Sequence, residues 1–496
     1  MNPSEFRKYG KNVVDSVADY YENINTVSPF PNVEPGYLFK LLPHEAPDNP
    51  EQFEDIQDDI ETKIMPGITH WQSPNFYAWF SSSSSFPAML GDYYSLMFNI
   101  IGFSWIGSPA AAELEVLVMD WLGKLLGLDE RYLALNKNGS GNRGGGAIQT
   151  TASESLVACM AAGREMALDR LRDQGLNEDE IDRLRYKLTA YVSDQTHSSG
   201  EKAANVIGCK VHIIRTDAAF SLTKNALLAA IDKDKSRGRI PFFVCGTFGT
   251  TNTAAIDDLA GIAEVARAEH LWFHVDASYA GAALTCPEFR PLARGIEQVD
   301  SLSVNPHKWL LTNFDCSALW IADSKYLTSA MGIEREYLPR VQGNNGAFVR
   351  EFSDWQIPLG RRFRALKLWF VMRMYGASGI RAHIRNHVEQ AKWLEAQLIA
   401  DGRFEIMAPV VFGLVVFRAK PCALNSRTSE YQDQANKLND DLVKRINSEG
   451  SVFIMATRVQ GTVVIRAPIG AVYGSVKSTE LLLRVLKQQL SAAFRI

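Results

Sequence analysis

Two short stretches decide the fold: Leu271-Trp-Phe-His-Val-Asp-Ala-Ser-Tyr279 and Ser301-Leu-Ser-Val-Asn-Pro-His-Lys-Trp309. Each begins with a run that is typical of a buried strand. In each, a charged side chain follows the predicted strand end: Asp276 in the first and Lys308 in the second. Ligands of open α/β sheets bind at the carboxyl ends of the strands. The two stretches therefore predict a carboxylate and a lysine at one ligand-binding edge.

The flanking sequence continues as strands alternating with helices, the latter predicted at 198–207, 224–232 and 257–268. This alternation indicates an α/β domain with a largely parallel sheet. The further predicted strands are Thr189–Val192, Val211–Ile214, Phe242–Thr247 and Ala318–Ile321.

The pattern differs toward both ends of the chain. The apolar residues within 4–24 recur at helical spacing, which predicts a helix. This helix packs either on another subunit or on its own chain. A long helix (382–400), two or three strands and a closing helix (476–494) predict a small α+β unit. We therefore expect three segments: an N-terminal helical and dimerisation segment (1–85), a large α/β domain (86–365) and a small C-terminal domain (366–496).

Composition excludes several classes of protein. The 496 residues are 46% hydrophobic and 22% charged, with a net charge of −4, which is typical of a globular chain. Without a basic run, nucleic acid and anionic membranes are not expected partners. Six scattered cysteines, no apolar core of a signal peptide and no run of about 18 apolar residues predict a cytoplasmic protein with reduced thiols.

A lysine and a carboxylate at neighbouring strand ends are what pyridoxal 5'-phosphate requires. The Lys308 amine forms a Schiff base with the cofactor aldehyde, while Asp276 pairs with the protonated pyridine nitrogen. The alternative is an ordinary ion pair that caps two strands. Further polar residues at predicted strand ends favour the cofactor.

Those further residues suit a ring and a phosphate. His197 follows a predicted strand in Ser193-Asp-Gln-Thr-His-Ser-Ser199, so its imidazole either stacks on a cofactor ring or caps the next helix. Thr150-Thr-Ala-Ser-Glu-Ser155 opens an apolar helix and serves as an anion site, a helix cap, or both. Asn305 and His307 flank Lys308 and can reach a phosphate.

Two other patterns carry less weight. Gly139-Ser-Gly-Asn-Arg-Gly144 matches a dinucleotide-binding motif, but no good strand precedes it, which favours a flexible loop. His383 and His387 have metal-ligand spacing without a third ligand, which favours a solvated helix face. No metal site is expected.

On its motifs, the chain resembles the group II pyridoxal-phosphate-dependent decarboxylases, specifically the aromatic L-amino acid decarboxylases, over about residues 1–480. The motifs are HWQSPNFYAWF (70–80), PAMLGD (87–92), IGFSW (101–105), SDQTHSS (193–199), HVDASYAG (274–281), NPHKWLL (305–311) and WQIPLGRRFRALKLWFV (355–371).

The resemblance implies a fold type I (aspartate aminotransferase-like) large α/β domain with an N-terminal helical arm and a small C-terminal α+β domain. It also implies a homodimer with the active site at the subunit interface. Lys308 would carry the cofactor, Asp276 would pair with its ring nitrogen and His197 would stack on the ring. The other implied cofactor contacts are Ala277, Ala152, Ser153, Thr251, Asn305 and His307.

The resemblance also implies an aromatic substrate. Gly360 matches a position where glycine leaves room for a larger ring, so indole and catechol are both allowed. Ser81-Ser82-Ser83 stands where animal enzymes usually carry a proline–threonine pair, so the resemblance does not fix the substrate choice of this chain. The implied substrate contacts are Trp71, Trp79, Phe80, Ser82, Ile101, Phe103 and Gly360.

Tyr337 decides the product in this family. A phenol there returns a proton to the substrate Cα and gives an amine, whereas relatives with phenylalanine resemble aldehyde synthases. This chain has both Tyr337 and His197, so the resemblance predicts decarboxylation to an arylalkylamine. From the sequence alone, a loop tyrosine without a role is the alternative. An aldehyde synthase, an aminotransferase and a catalytically silent binding protein are the rival functions.

Overall fold

The computed structural model describes residues 1–333, 348–421 and 429–494. The chain forms two compact units. The large unit comprises Ser82–Glu389 and Ala408–Leu414, and the small unit comprises Met1–Ser81, Gln390–Met407 and Val415–Ile496. The predicted domain boundaries after residues 85 and 365 remain predictions.

The strands and helices follow in chain order. The strands are β1 (Phe76–Tyr77), β2 (Gly145–Gln149), β3 (Leu188–Ser193), β4 (Lys210–Ile214), β5 (Ile240–Thr247), β6 (Trp272–Asp276), β7 (Ser301–Val304), β8 (Ser317–Ile321), β9 (Phe404–Ile406), β10 (Leu414–Ala419), β11 (Phe453–Val459) and β12 (Thr462–Pro468). The helices are α1 (Pro3–Asn23), α2 (Tyr37–Leu41), α3 (Phe53–Asp59), α4 (Phe86–Phe98), α5 (Pro109–Leu126), α6 (Ala152–Asp173), α7 (Glu178–Leu184), α8 (Ser199–Ile207), α9 (Lys224–Lys235), α10 (Leu259–Ala268), α11 (Pro306–Trp309), α12 (Lys325–Met331), α13 (Ala365–Asp401, interrupted at Gly376), α14 (Ser429–Glu449) and α15 (Val476–Ala493).

The large unit is built on a seven-stranded sheet of order β2-β8-β7-β6-β5-β3-β4. The pairs β3–β4, β3–β5, β5–β6 and β6–β7 are parallel, while β8 runs antiparallel to both of its neighbours. Strands such as β5 and β6 are buried almost throughout, as expected for a parallel sheet covered on both faces. The predicted α/β class and largely parallel sheet are confirmed.

Several elements were not predicted from the sequence, among them β2, α4 and α14. Strand β2 begins with Gly145-Gly146, and glycine is depleted in strands, so the glycine-rich stretch before it was interpreted as loop alone. Helix α14 has a mainly polar sequence. Residues 139–144 do form a loop, as predicted.

The small unit contains a five-stranded sheet of order β1-β11-β12-β10-β9. The N-terminal segment contributes β1, which runs parallel to β11. Helix α1 starts with a capping box between Asn2 and Glu5 and has no buried residue. Near its end, Tyr20 hydrogen bonds to His70 (2.9 Å), so this part of α1 packs on its own chain. Among the described residues, every helix is too short or too polar to cross a lipid bilayer.

Candidate active site

Strands β6 and β7 bring Asp276 and the Lys308 segment to one edge of the large sheet. The two strands are parallel, with Asp276 opposite Ser303. Beyond the strand ends, the Ala277 N–H donates to the Ser303 carbonyl (2.9 Å), and the Asn305 N–H donates to the Ser278 carbonyl (3.0 Å). The predicted meeting of the two stretches at the carboxyl ends of the strands therefore occurs in the structure.

Asp276 is held as a carboxylate. Its side chain is 8% exposed, and Oδ1 accepts hydrogen bonds from the N–H (2.9 Å) and the hydroxyl of Ser278. Burial alone would raise the pKa of Asp276, but the Lys308 ammonium, the Ser278 hydrogen bonds and His274 together hold it below the ordinary value. An ionised, buried carboxylate of this kind stabilises a protonated ring nitrogen.

His274 lies two residues before Asp276 in the same strand. It is fully buried, and its Nδ1 hydrogen bonds to the Ser301 hydroxyl (2.8 Å). Burial lowers its pKa to about 4, so the ring is neutral at neutral pH. The sequence analysis missed this residue, although period-two alternation puts it on the same side of β6 as Asp276.

His197 lies between β3 and α8. Its Nδ1 accepts the Ser199 N–H (3.2 Å) and hydrogen bonds to the Ser199 hydroxyl (2.9 Å). Because a backbone N–H can only donate, the neutral imidazole carries its proton on Nε2. Burial lowers the pKa of His197, and the charges of Asp276 and Lys308 also act on it. The ring is thus a neutral group near both, while it also receives an N–H of α8.

The residues predicted for the phosphate offer hydrogen-bond donors. Thr151 caps α6 by accepting the Glu154 N–H (3.3 Å), and no hydrogen bond among the described residues uses the N–H of Ala152 or Ser153. The Asn305 Oδ1 accepts the Ser317 hydroxyl (2.7 Å), which leaves the amide N–H groups as donors. A helix N-terminus with such side chains suits a phosphate.

His307 adds a further donor. Its Nδ1 accepts the Cys316 N–H (3.0 Å), so the neutral ring has its proton on Nε2. Burial, followed by the Lys308 charge, lowers the pKa of His307 to about 4. Thr247, opposite Asp276 on β5, has a buried Oγ1 without a hydrogen-bond partner in the described part of the chain, while Thr251 is half-buried nearby in sequence. These donors fit the anionic and polar groups of pyridoxal 5'-phosphate.

Three predicted substrate contacts lie together in the large unit. The Gly102 N–H donates to the Arg361 carbonyl (3.1 Å), and the Ser353 N–H donates to the Phe103 carbonyl (2.8 Å). Among the described residues, a Cβ added to Gly360 would come within 4 Å of Ile101 Cγ2 alone, at 3.5 Å. Ile101 and Gly360 therefore border the same space, and the backbone of Phe103 lies beside Ser353. Ser82, of the same unit, is half-buried.

The other aromatic candidates lie in the small unit. The Trp71 and Trp79 rings stack with centroids 5.1 Å apart and an interplanar angle of 14°. The Arg466 guanidinium lies 5.0 Å from the centroid of the Phe80 ring. These residues form an ordered aromatic cluster, and their role in substrate binding stays a prediction. Tyr337 and the glycines at 343 and 346 lie outside the described residues.

The predicted solvated face at His383 and His387 is wrong. His387 is 1% exposed, and its Nδ1 accepts the indole N–H of Trp309 (2.9 Å). The His383 ring lies 4.3 Å from that of His387, and burial holds its pKa well below the usual value. Trp309, the partner of His387, lies 78 residues away from it in sequence. Among the described residues, no group of three His, Cys, Asp or Glu side chains could hold a metal ion.

Comparison with known proteins gives consistent results. Residues 35–420 match the family model described as "Pyridoxal-dependent decarboxylase conserved domain". The aromatic-L-amino-acid decarboxylase of Sus scrofa is 45% identical, over 95% of this chain and 93% of the relative. The phenylacetaldehyde synthase of Arabidopsis thaliana is 41% identical, over 99% and 97% respectively.

A solved structure agrees in fold. The Oryza sativa TDC, crystallised with PLP and tryptamine, superposes with a TM-score of 0.93 and 36% identity over 99% of both chains. The predicted fold type I architecture is confirmed by this likeness.

Proposed function

The chain belongs to the pyridoxal-dependent decarboxylase family, and we propose that it decarboxylates aromatic L-amino acids to arylalkylamines and CO2 with pyridoxal 5'-phosphate as cofactor. The observation that carries this proposal is that Asp276, Lys308 and His197 lie at one edge of the large sheet, close enough for the charges of Asp276 and Lys308 to affect the pKa of His197. Tryptophan, 5-hydroxytryptophan, DOPA, tyrosine and phenylalanine are the candidate substrates.

Each of the charged residues has a distinct task. When bound, pyridoxal 5'-phosphate supplies an aldehyde for amines and a ring that withdraws electrons from the substrate Cα. Lys308 would hold the aldehyde through Nζ. Asp276, whose carboxylate is ionised and buried, would keep the ring nitrogen protonated. Asn305, His307 and the first turn of α6 would donate hydrogen bonds to the phosphate.

Two residues manage the proton that replaces the carboxylate. The neutral His197 ring, with its proton on Nε2, would pack on the cofactor ring. Tyr337 would supply the proton to the substrate Cα. Support for this role is the match of Tyr337 to the family position in the sequence, since the residue lies outside the described structure.

The partner is proposed to be a second copy of the chain. Helix α1 exposes Phe6, Val13 and Val14, and helix α4 exposes a run of large apolar side chains that includes Leu96 and Met97. Exposed apolar side chains that are concentrated on one element normally mark interaction sites. A homodimer that covers them and shares the active site between subunits fits these features. A cytoplasmic location is proposed from the free thiols at five described cysteines.

Product analysis with added pyridoxal 5'-phosphate tests the proposal. Each candidate amino acid is supplied in turn, and CO2, amine, aldehyde and hydrogen peroxide are measured together. Amine equal to CO2, without peroxide, is the expected result. Aldehyde with peroxide would instead assign the chain to the aldehyde synthases, the second candidate function favoured by the 41% identical phenylacetaldehyde synthase.

The Tyr337→Phe variant tests the proton donor. Its product is expected to shift from amine toward aldehyde, with uptake of O2, because the substrate Cα loses its proton source. Oxygen consumption and amine yield are measured against the wild type. An unchanged amine-to-aldehyde ratio would remove Tyr337 from the mechanism.

A further inference from the structure

Three hydrogen bonds join the serine run, defined here as Ser81–Ser85, to the segment that carries Lys308. The Ser83 N–H donates to the His307 carbonyl (2.7 Å), and the Ser83 hydroxyl donates to the Lys308 carbonyl (2.8 Å). The Ser85 hydroxyl donates to the Leu311 carbonyl (2.6 Å). Ser83 is only 1% exposed, so no bulk water competes for these carbonyls.

The local backbone explains why these carbonyls need donors. Helix α11 consists of one turn only, and the last carbonyls of a helix have no partner within it. A buried carbonyl without a hydrogen bond is unfavourable. The chain then leaves the turn through Leu311 in a left-handed conformation (φ 58°), which is uncommon for a large side chain. External contacts therefore determine the path of the backbone around Lys308.

The other side of the turn is fixed independently. The Trp309 indole is stacked on Tyr279, with centroids 4.9 Å apart, and donates to His387. Those contacts fix the indole but do not satisfy the Lys308 carbonyl. Ser83 supplies the hydroxyl that fixes the peptide plane between Lys308 and Trp309. The Lys308 side chain is attached to this turn, so a shift of the turn would move it relative to Asp276.

We propose that Ser83 is a positioning residue that directs the Lys308 amine toward the cofactor aldehyde through its hydrogen bond to the Lys308 carbonyl. This role rests on the proposed function for the task of Lys308. It also gives a use to a serine run that composition alone would assign to a linker.

The Ser83→Ala variant tests the proposal, with Ser84→Ala as the matched control. Ser84 is buried in the same run, and the described hydrogen bonds do not connect its hydroxyl to residues 305–311. Three quantities are measured on the holoenzyme: the pH titration of the visible absorbance of lysine-bound cofactor, the rate of cofactor release after dilution, and kcat and KM separately. Thermal unfolding confirms that each variant is folded.

For Ser83→Ala we expect cofactor release to accelerate and kcat to fall by about ten-fold each, with KM within about two-fold of wild type, because a misplaced amine loses orientation. The absorbance titration is expected to shift by about half a pH unit. Ser83→Thr, which retains the hydroxyl, should restore the wild-type titration.

Two results would overturn the proposal. One is a folded Ser83→Ala protein whose titration, cofactor release and kcat match those of Ser84→Ala. The other is a Ser83→Ala protein that does not fold while Ser83→Thr behaves normally, which would assign the hydroxyl to the stability of the fold. Wild-type protein without lysine-bound cofactor would instead refute the proposed function, so the two failures are distinguishable.

Discussion

The sheet edge around Asp276 and the substrate segment around Gly360 differ in how firmly they are held. Asp276 is buried and receives two hydrogen bonds from Ser278, and the Lys308 turn is fixed through its carbonyls. Ile101, in contrast, is 60% exposed, and a Cβ built on Gly360 would lie 3.5 Å from its Cγ2. We infer that the first region sets whether the reaction occurs and that the second sets which aromatic ring is accepted.

The largest expected effect comes from removing the Lys308 amine at the sheet edge. Lys308→Ala should lower kcat by on the order of 10⁴-fold or more, because the group that holds the cofactor aldehyde is removed. Steady-state decarboxylation and cofactor content measure this loss. Lys325→Ala, which removes an exposed lysine paired with Asp169, is the control and should leave both unchanged. Substantial turnover in Lys308→Ala would contradict the assignment.

Removing the charge of Asp276 should have the next largest effect. Asp276→Asn keeps the size of the side chain but loses the carboxylate that stabilises a protonated ring nitrogen. We expect kcat to fall by roughly 10²–10³-fold, as for other buried electrostatic groups. Asp169→Asn serves as the surface control. Equal kcat in the two variants would show that the carboxylate has no electronic role.

The pH dependence of kcat/KM tests the protonation state of His197. Burial lowers the pKa of this ring, so it takes up a proton only as the pH falls below the ordinary value of about 6.5. If the neutral ring is the active form, kcat/KM is flat at neutral pH and declines on the acid side of that value.

The His197→Gln variant checks this assignment. Its kcat/KM at neutral pH should be lower by about 10²-fold, and the acid decline should vanish, because the titrating group is absent. The profile is measured from pH 5 to 8, a range chosen around the ordinary histidine pKa of about 6.5. An acid decline that persists unchanged in His197→Gln belongs to another group.

The smallest effect is expected in the substrate segment. Gly360→Ser adds a Cβ that lies 3.5 Å from Ile101 Cγ2, an ordinary contact and the sole one among the described residues, so the protein should fold normally. The added side chain narrows the space for a bicyclic ring. The ratio of kcat/KM for tryptophan to that for tyrosine should fall by about ten-fold. A uniform loss for both substrates would place Gly360 in the general machinery instead.

The same contrast explains what the sequence predicted. Asp276 and Lys308 lie at or just after the ends of short buried strands, and strand ends are local features, so their meeting followed from the pattern of strands and helices. Contacts between distant segments left no such pattern. The burial of His387 depends on Trp309, and the task of Ser83 depends on a carbonyl more than two hundred residues away.

Local composition concealed other features. Strand β2 starts with two glycines, and its place beside β8 comes from pairing rather than propensity. The histidine pair was placed on a solvated helix face because no third metal ligand accompanies it in sequence. Burial by tertiary packing overrides such local signals.

Reduction of the holoenzyme with borohydride, followed by peptide mapping, tests directly whether Lys308 holds the cofactor. The reagent converts a cofactor–lysine linkage into a stable secondary amine, so the modified residue can be read by mass spectrometry. We expect one modified lysine per chain, at Lys308. Modification of a different lysine, or of none, would contradict it.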